Sequence, residues 1–327
     1  KQKTAYEMLR SLVGSEMCIR DRGVDMPLNL LVIGGSGFIG GAIVKHAIAL
    51  GWHVDSLGLS IPIEEKKNRG VTYIMGDITD PETLKFLEIK KYDYIVNSGG
   101  YINHSSFVSG GDKFLQAHFG GVVNLVKSID RTNLKRFINI GSSDEYGDTP
   151  APQFESNRER PISPYSAGKA AATQFLQMLY RTERFPAVTL RLFLCYGPGQ
   201  DRMRFLPYLV SRCISNDVIE ISPGEQLRDY CFIDDIVEAI FLAMANDAAS
   251  GRVFNIASGN PISIKQVVEK VIDILGSGNP KFGAVPYRDG ESMELYGDVS
   301  LAKKILSWSA KTTLSHGLEK TIAHYTK

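Results

Sequence analysis

The stretch SPYSAGKAAATQF sets Tyr165 and Lys169 four residues apart, a spacing that puts both side chains on one face of a helix. A phenol beside an ammonium is a proton-transfer pair. Its hydroxyl, with an ordinary pKa near 10, loses a proton more readily when a positive charge lies close. Such a pair suits alcohol–ketone conversion at a nicotinamide, where a proton moves while a hydride moves. Upstream, GSSDEYG follows the apolar run RFINI and crowds Ser142, Ser143, Asp144, Glu145 and Tyr146 together. It could be a polar turn, a cap for the next helix or part of an active site. YxxxK alone is common text, and elsewhere it means a tyrosine packed on a sheet and a solvated lysine.

What gives the pair weight is its company. LLVIGGSGFIGGAIV spaces Gly34, Gly37 and Gly40 as GxxGxxG, directly after a strand and opening a helix. A sharp turn, a close backbone approach to pyrophosphate and tight helix–strand packing each require glycine, and the helix N-terminus supplies N–H groups for the phosphates. A dinucleotide is therefore expected here. At the end of the second strand, where a carboxylate normally receives the adenosine ribose, WHVDSLGLS has Gly58, with Asp55 three residues early and pointing elsewhere. The missing carboxylate favours NADP over NAD, although only Ser60 and the more distant Lys66, Lys67 and Arg69 could answer a 2′-phosphate. In GDITD, Asp77 and Ile78 suit an adenine-edge contact, and Asp80 before Pro81 suits a helix cap.

These residues need a scaffold. From Leu28, apolar runs (LNLLVI, WHVDSL, VTYIM, YDYIVN, RFINI, AVTLRLF) alternate with helix-length segments at Phe38–Leu50, Pro81–Glu88, Phe114–Ile129 and Ser166–Arg181. This predicts an α/β, Rossmann-like, doubly wound parallel sheet. The expected dinucleotide-binding domain spans 26–193, with last strands contributed from about 228–257. After Phe193, turn-rich pieces separate helices at about 204–215, 234–246, 263–275 and 314–325, forming a smaller, interleaved substrate lobe over 194–327.

Bulk properties narrow the function. In 327 residues, 37 Lys and Arg against 36 Asp and Glu leave a net charge of +1, so neither nucleic-acid binding nor an acidic tail is indicated. Four scattered cysteines, Cys18, Cys195, Cys213 and Cys231, form no CxxC, and six histidines form no HxxxH; reduced thiols in a cytoplasmic protein and no metal site are expected. No apolar run approaches the roughly 18 residues that span a bilayer. Residues 1–25 lack the apolar core of a signal peptide and include SLVGSEMCIRDR, similar to translated adaptor sequence; a non-native leader before Met26 is expected.

Together, GGSGFIG, GDITD, YDYIVNSGG, GSSDEYG, YSAGK, RLFLCYGPGQ, GEQLRDYCFIDDIVEAI, YRDGES and GDVSLAKKILSW resemble the extended short-chain dehydrogenase/reductases, the nucleotide-sugar epimerase, dehydratase and ketoreductase family. The resemblance runs from Leu28 to the C-terminus. It implies that Tyr165 is the general acid/base, that Lys169 holds the nicotinamide ribose and depresses the tyrosine pKa, and that Ser142 bonds the reacting sugar oxygen with Ser143 and Asp144 beside it. It also places the dinucleotide against Gly34, Gly37, Phe38, Ile39, Gly40, Ser60, Asp77 and Ile78. Arg228 and Arg288 resemble arginines that pair with the nucleotide phosphates; as bare residues, salt bridges to Asp229 and Asp289 would explain them. A homodimer through the helices near 114–129 and 166–181 is implied too. Three positions depart from the family: NSGG (Asn97 to Gly100) replaces HLAA, Leu194 replaces an Asn before YGP, and His118 replaces an Asn.

Family members share hydride transfer at hexose C4 and then diverge. A 4,6-dehydratase has Asp then Glu directly after the hydroxyl residue. Here, if Ser142 is that residue, Ser143 and Asp144 follow and the acid pair is broken; if Ser143 is, the acids match but the YG pair is displaced. The short form resembles that of the GDP-4-keto-6-deoxymannose reductases, and YGPGQDRMRFLPYLV and KFGAVPYRDGES are similar to CDP-abequose synthase. The expected reaction is NAD(P)H reduction of a nucleotide-linked 4-keto-deoxyhexose, ahead of 4-epimerisation and 4,6-dehydration. A cofactor-sensing protein without turnover is the alternative of another class, and it would not need Ser142, Tyr165 and Lys169 together.

Overall fold

The computed structural model describes residues 27–288 and 290–326; the expected leader lies outside them, as do Cys18 and Asp289. The chain runs β1 (Asn29–Ile33), α1 (Phe38–Ala49), β2 (His53–Gly58), β3 (Val71–Met75) and β4 (Tyr94–Asn97). It continues through α2 (Asp112–Leu115), a π turn (Gln116–Gly120), α3 (Gly121–Ser128), β5 (Arg136–Ser142), α4 (Pro164–Glu183) and β6 (Ala187–Leu192). There follow β7 (Leu194–Tyr196), α5 (Phe205–Ile214), β8 (Val218–Ile221), β9 (Leu227–Arg228), β10 (Tyr230–Phe232), α6 (Ile233–Ala245) and β11 (Val253–Ile256). Last come β12 (Ile262–Ser263), α7 (Ile264–Leu275), β13 (Asn279–Phe282), β14 (Glu294–Leu295), α8 (Ser300–Leu306) and α9 (Leu314–Tyr325).

Seven strands form one parallel sheet in the order β11-β6-β5-β4-β1-β2-β3, the doubly wound Rossmann-like arrangement. Strand alternation sorts side chains to two cores. Leu30 and Val32 of β1 join Ile43, Val44 and the α6 residues Ile236 and Ile240, whereas Leu31 and Ile33 join Val122, Leu125 and Leu176 on the opposite face. Each fully buried Leu, Ile or Val stabilises the sheet by about 1.5–3 kcal/mol. The order reverses between β1 and β4, so the loops after these strands flank the crevice where such sheets take ligands.

Two segments differ from the sequence reading. Pro81–Glu88 winds as a 3-10 helix, its cap set by the Asp80 carboxylate accepting from the Glu82 N–H at 3.0 Å. The single helix expected over Phe114–Ile129 is interrupted by the π turn, where the adjacent Gly120 and Gly121 lower helix propensity and His118 is buried. Beyond β6, small sheets carry the other pieces: β7 pairs in parallel with β10, β9 lies between β12 and β14, and β13 pairs with β8. No described helix is long and apolar enough to cross a membrane.

Candidate active site

The glycine loop has the geometry its spacing predicts. Gly34 sits at φ +77°, and its N–H donates to the Leu57 carbonyl at 2.7 Å. A Cβ on Gly40 would lie 2.1 Å from the Gly34 oxygen, so helix and loop pack closer than any side chain permits. Gly37 caps α1 without a side-chain bond and the first turn holds no acid, which leaves the leading amides around Phe38 and Ile39 to an anion. Asn97 donates to Asn139 at 3.0 Å, and a Cβ on Gly34 would meet Gly99 at 3.0 Å; the NSGG glycines thus bring the two loops together. These features fit a dinucleotide.

At the ribose end, Gly58 closes β2 without a carboxylate. Asp55 instead accepts from the Tyr92 hydroxyl and pairs with Lys90, pointing elsewhere as expected. A cavity of about 1410 Å³ runs from Gly37 and Phe38 past Ser60, Lys66 and Asn68. Asp77 turns its carboxylate onto Thr79, accepting from its N–H and hydroxyl at 2.8 Å, and the Ile78 carbonyl accepts from Asn124 at 3.0 Å.

Ser142, Tyr165 and Lys169 meet at the carboxyl end of β5. Ser163 starts α4 by accepting from the Ser166 N–H at 3.1 Å, with Pro164 next, so Tyr165 and Lys169 fall in the helix's first two turns. The Lys169 ammonium donates to the Ile140 carbonyl at 2.7 Å and lies 6.0 Å from the Tyr165 ring centre. The Ser142 hydroxyl favours the ionised form of the Tyr165 phenol; burial, helped by the charge of Asp144, outweighs this and pushes the phenol above its ordinary value. The depression expected from Lys169 is thus not what the protein alone produces, because burial disfavours phenolate. Burial also pushes Lys169 down to about 8, against the attraction of Glu145 and Asp144.

Two histidines flank Tyr165. The His118 ring stands 4.8 Å away at 89°, hydrogen-bonded through Nε2 to the Tyr101 carbonyl at 3.2 Å, and burial lowers it to about 3. His104 stands 5.6 Å away at 79°, with Nε2 3.6 Å from the Asp144 carboxylate. Sequence reasoning left His118 without a role and passed over His104, which sits in a loop with no periodic signal.

The two acids of GSSDEYG diverge. Asp144 lies within the electrostatic reach of Tyr165, Lys169, His104 and Arg228, and burial raises its pKa. Glu145 turns into the core, where its carboxylate accepts from the Ser142 N–H at 3.0 Å, the Thr173 hydroxyl at 2.9 Å and Arg191 Nε at 2.8 Å. Arg191 also pairs with Glu159 and lies over the Tyr146 ring at 4.5 Å. A charge inside the apolar run AVTLRLF was the available signal for a buried partner.

Arg228 is nearly buried, donates to the Leu227 carbonyl at 2.8 Å and pairs with Glu291 rather than Asp229. Asp229 accepts from the Ser258 and Gly259 N–H groups at 2.6 and 2.9 Å. The Arg228 charge acts on Asp144, lowering its pKa against burial, whereas Arg288 is exposed in a turn closed by the Glu291 N–H on its carbonyl. Leu194 donates its N–H to the Asp229 carbonyl at 3.0 Å and carries no polar side chain toward the site.

Residues 30–257 match the family model described as "NAD dependent epimerase/dehydratase family". The mouse dTDP-D-glucose 4,6-dehydratase is 26% identical over 317 residues, covering 91% of this chain and 88% of that protein. The UDP-glucose 4-epimerase of Thermotoga maritima, solved with UDP-glucose, superposes with a TM-score of 0.85 at 27% identity, covering 91% of this chain and 99% of that one. MoeE5, solved with UDP-glucuronic acid and NAD, superposes with a TM-score of 0.80 at 25% identity, covering 91% and 98%.

Proposed function

Since the chain belongs to the NAD-dependent epimerase/dehydratase family, an enzyme family of the extended short-chain dehydrogenase type, we propose that it reduces a nucleotide-linked 4-keto-6-deoxyhexose at C4. The observation that carries this reading is the fate of Glu145. Expelling water across C5 and C6 takes an acid and a base, and of the segment's two carboxylates one is committed to Arg191, Thr173 and the Ser142 N–H, leaving only Asp144 near the reacting groups. Reduction asks for less: a hydroxyl, a tyrosine and a lysine.

A dinucleotide held at the Gly34–Gly40 loop would supply the hydride for sugar C4. Tyr165, held protonated by burial, gives its proton to the developing alkoxide, and Ser142 steadies that oxygen by a hydrogen bond. Lys169, oriented by the Ile140 carbonyl, holds the nicotinamide ribose. Arg228, with its planar fork of donors, takes the nucleotide phosphates once Glu291 gives way, and Arg288 adds a second contact from the exposed turn. We assign NADP(H) as the preferred coenzyme, supported by Gly58 at the strand end and by Ser60 and Lys66 on the cavity wall. A homodimer in the cytoplasm completes the reading.

Purified protein incubated with NADPH or NADH and CDP-, GDP- or dTDP-linked 4-keto-6-deoxy sugars is expected to consume the reduced coenzyme. A second reading, 4-epimerisation, is favoured by the likeness to the Thermotoga maritima epimerase. Tightly held NAD, no net coenzyme consumption and interconversion of C4 epimers would establish that reading and sink the first.

A further inference from the structure

We infer that Glu145 is the positioning residue of this site, a buried carboxylate that ties β5, α4 and β6 together and thereby sets where Ser142 and Lys169 stand. The inference rests on the reading of Ser142, Tyr165 and Lys169 as the reacting groups. Each of the three hydrogen bonds reaches a different element. The Ser142 N–H donates from the end of β5 at 3.0 Å, the Thr173 hydroxyl from α4 at 2.9 Å, and Arg191 Nε from β6 at 2.8 Å. Thr173 follows Lys169 by one helical turn on the same face, so a carboxylate anchored at Thr173 fixes the rotation of α4 relative to β5.

The surroundings are shaped for this carboxylate. Glu145 and Arg191 are both wholly shielded from water, and a buried carboxylate is tolerated only when a partner charge and hydrogen bonds satisfy it. Gly141 lies beneath it: a Cβ there would stand 2.5 Å from Glu145 Oε1. Lys169 meets the charge of Glu145 and Asp144 from the turn after β5, the Tyr165 phenol from its own helix and the His118 ring from the π turn. His118 is uncharged, so the two carboxylates oppose the desolvation of the ammonium, Glu145 more strongly than Asp144.

Glu145→Gln tests this, because it keeps the shape and one acceptor oxygen while removing the charge. Turnover, in whichever C4 reaction the protein performs, is expected to fall about tenfold or more in kcat with KM little changed. A second readout needs no substrate: the rate at which acetic anhydride modifies Lys169, followed by peptide mass spectrometry across pH, reports the free amine. In Glu145→Gln its midpoint should move down by about one pH unit. An unchanged kcat and an unchanged Lys169 profile overturn the inference, as does a loss of activity that merely follows the folded fraction by circular dichroism. Should Glu145→Gln fail to fold, Thr173→Val removes one anchor and keeps the charge. It is expected to lower kcat about threefold or more at constant KM, with the Lys169 profile unmoved. An unchanged kcat in that variant overturns the inference equally. Failure of the reductase reading would show in the products formed, not in the Lys169 profile.

Discussion

The rings of His118 and Tyr165 meet edge to face, with 4.8 Å between centroids and 89° between planes. A histidine in that place must be neutral, since burial and the Lys169 charge both oppose its protonation. Its pKa in the folded protein, about 3, lies below the roughly 6.5 of an unfolded histidine, so acid favours unfolding. The stabilisation is complete above pH 6.5 and is lost as pH falls toward 3, by up to about 1.4 kcal/mol per pH unit. Urea unfolding at pH 7 and pH 5 should show a smaller difference for His118→Asn than for the parent; equal differences would refute the assignment.

Tyr165→Phe removes the hydroxyl proposed to donate the proton and leaves the ring packing between His104 and His118. Turnover should fall by roughly 10²–10⁴-fold, the usual contribution of a positioned acid. Coenzyme binding, followed by nicotinamide fluorescence, should change little. Survival of full turnover would refute the proton-donor role of Tyr165.

With Lys169 at about 8, its proposed role predicts an alkaline limb in the rate. Above that pH the ammonium is lost and kcat falls. The fold does not weaken with it: the unfolded chain, with a lysine near 10.4, binds more protons than the folded one across this interval, so this group makes stability rise with pH. Parallel measurement of kcat and melting temperature between pH 7 and pH 10 should show them diverging.

Asp144→Asn distinguishes the reactions. In a reductase or an epimerase it should leave activity within about tenfold of the parent, because the hydroxyl, phenol and ammonium persist. In a dehydratase it should abolish elimination while hydride transfer to the coenzyme, visible at 340 nm, continues in a single turnover. Either way, removal of the Asp144 charge should ease ionisation of Tyr165, whose rise it now supports.

Gly40→Ala places a methyl 2.1 Å from the Gly34 oxygen, a backbone atom that cannot turn aside. The loop must move. A loss of about 1–3 kcal/mol in stability is expected, the usual cost of overpacking, together with loss of dinucleotide binding by fluorescence titration. Gly51→Ala is the control for a glycine with free space around it, although its φ of +79° costs backbone strain of its own.

What the sequence made legible was whatever repeats with a period or obeys a local steric rule. The strand VTYIM is β3 residue for residue, the last helix was placed at 314–325, and the glycine spacing foretold the Gly34–Gly40 contact. What escaped depends on contacts between distant segments. That Glu145 would turn inward depends on Arg191 and Thr173, and that Arg228 would pair with Glu291 depends on β9 lying beside β14. His104 reaches the site only because its loop folds over α4, for which no local pattern exists.

The placing of β11 has a consequence for how the chain is made. Its residues, Val253–Ile256, pair with Thr189–Leu192 of β6 but follow it in sequence only after β7, α5, β8, β9, β10 and α6. While the chain emerges from the ribosome, β6, whose residues are all buried in the finished fold, is left as a bare sheet edge until those later residues arrive. Such an edge is a template for pairing with other chains. Fragments ending before residue 253 should therefore aggregate where those reaching past β11 do not, and the nascent chain is most exposed to misassembly in that interval.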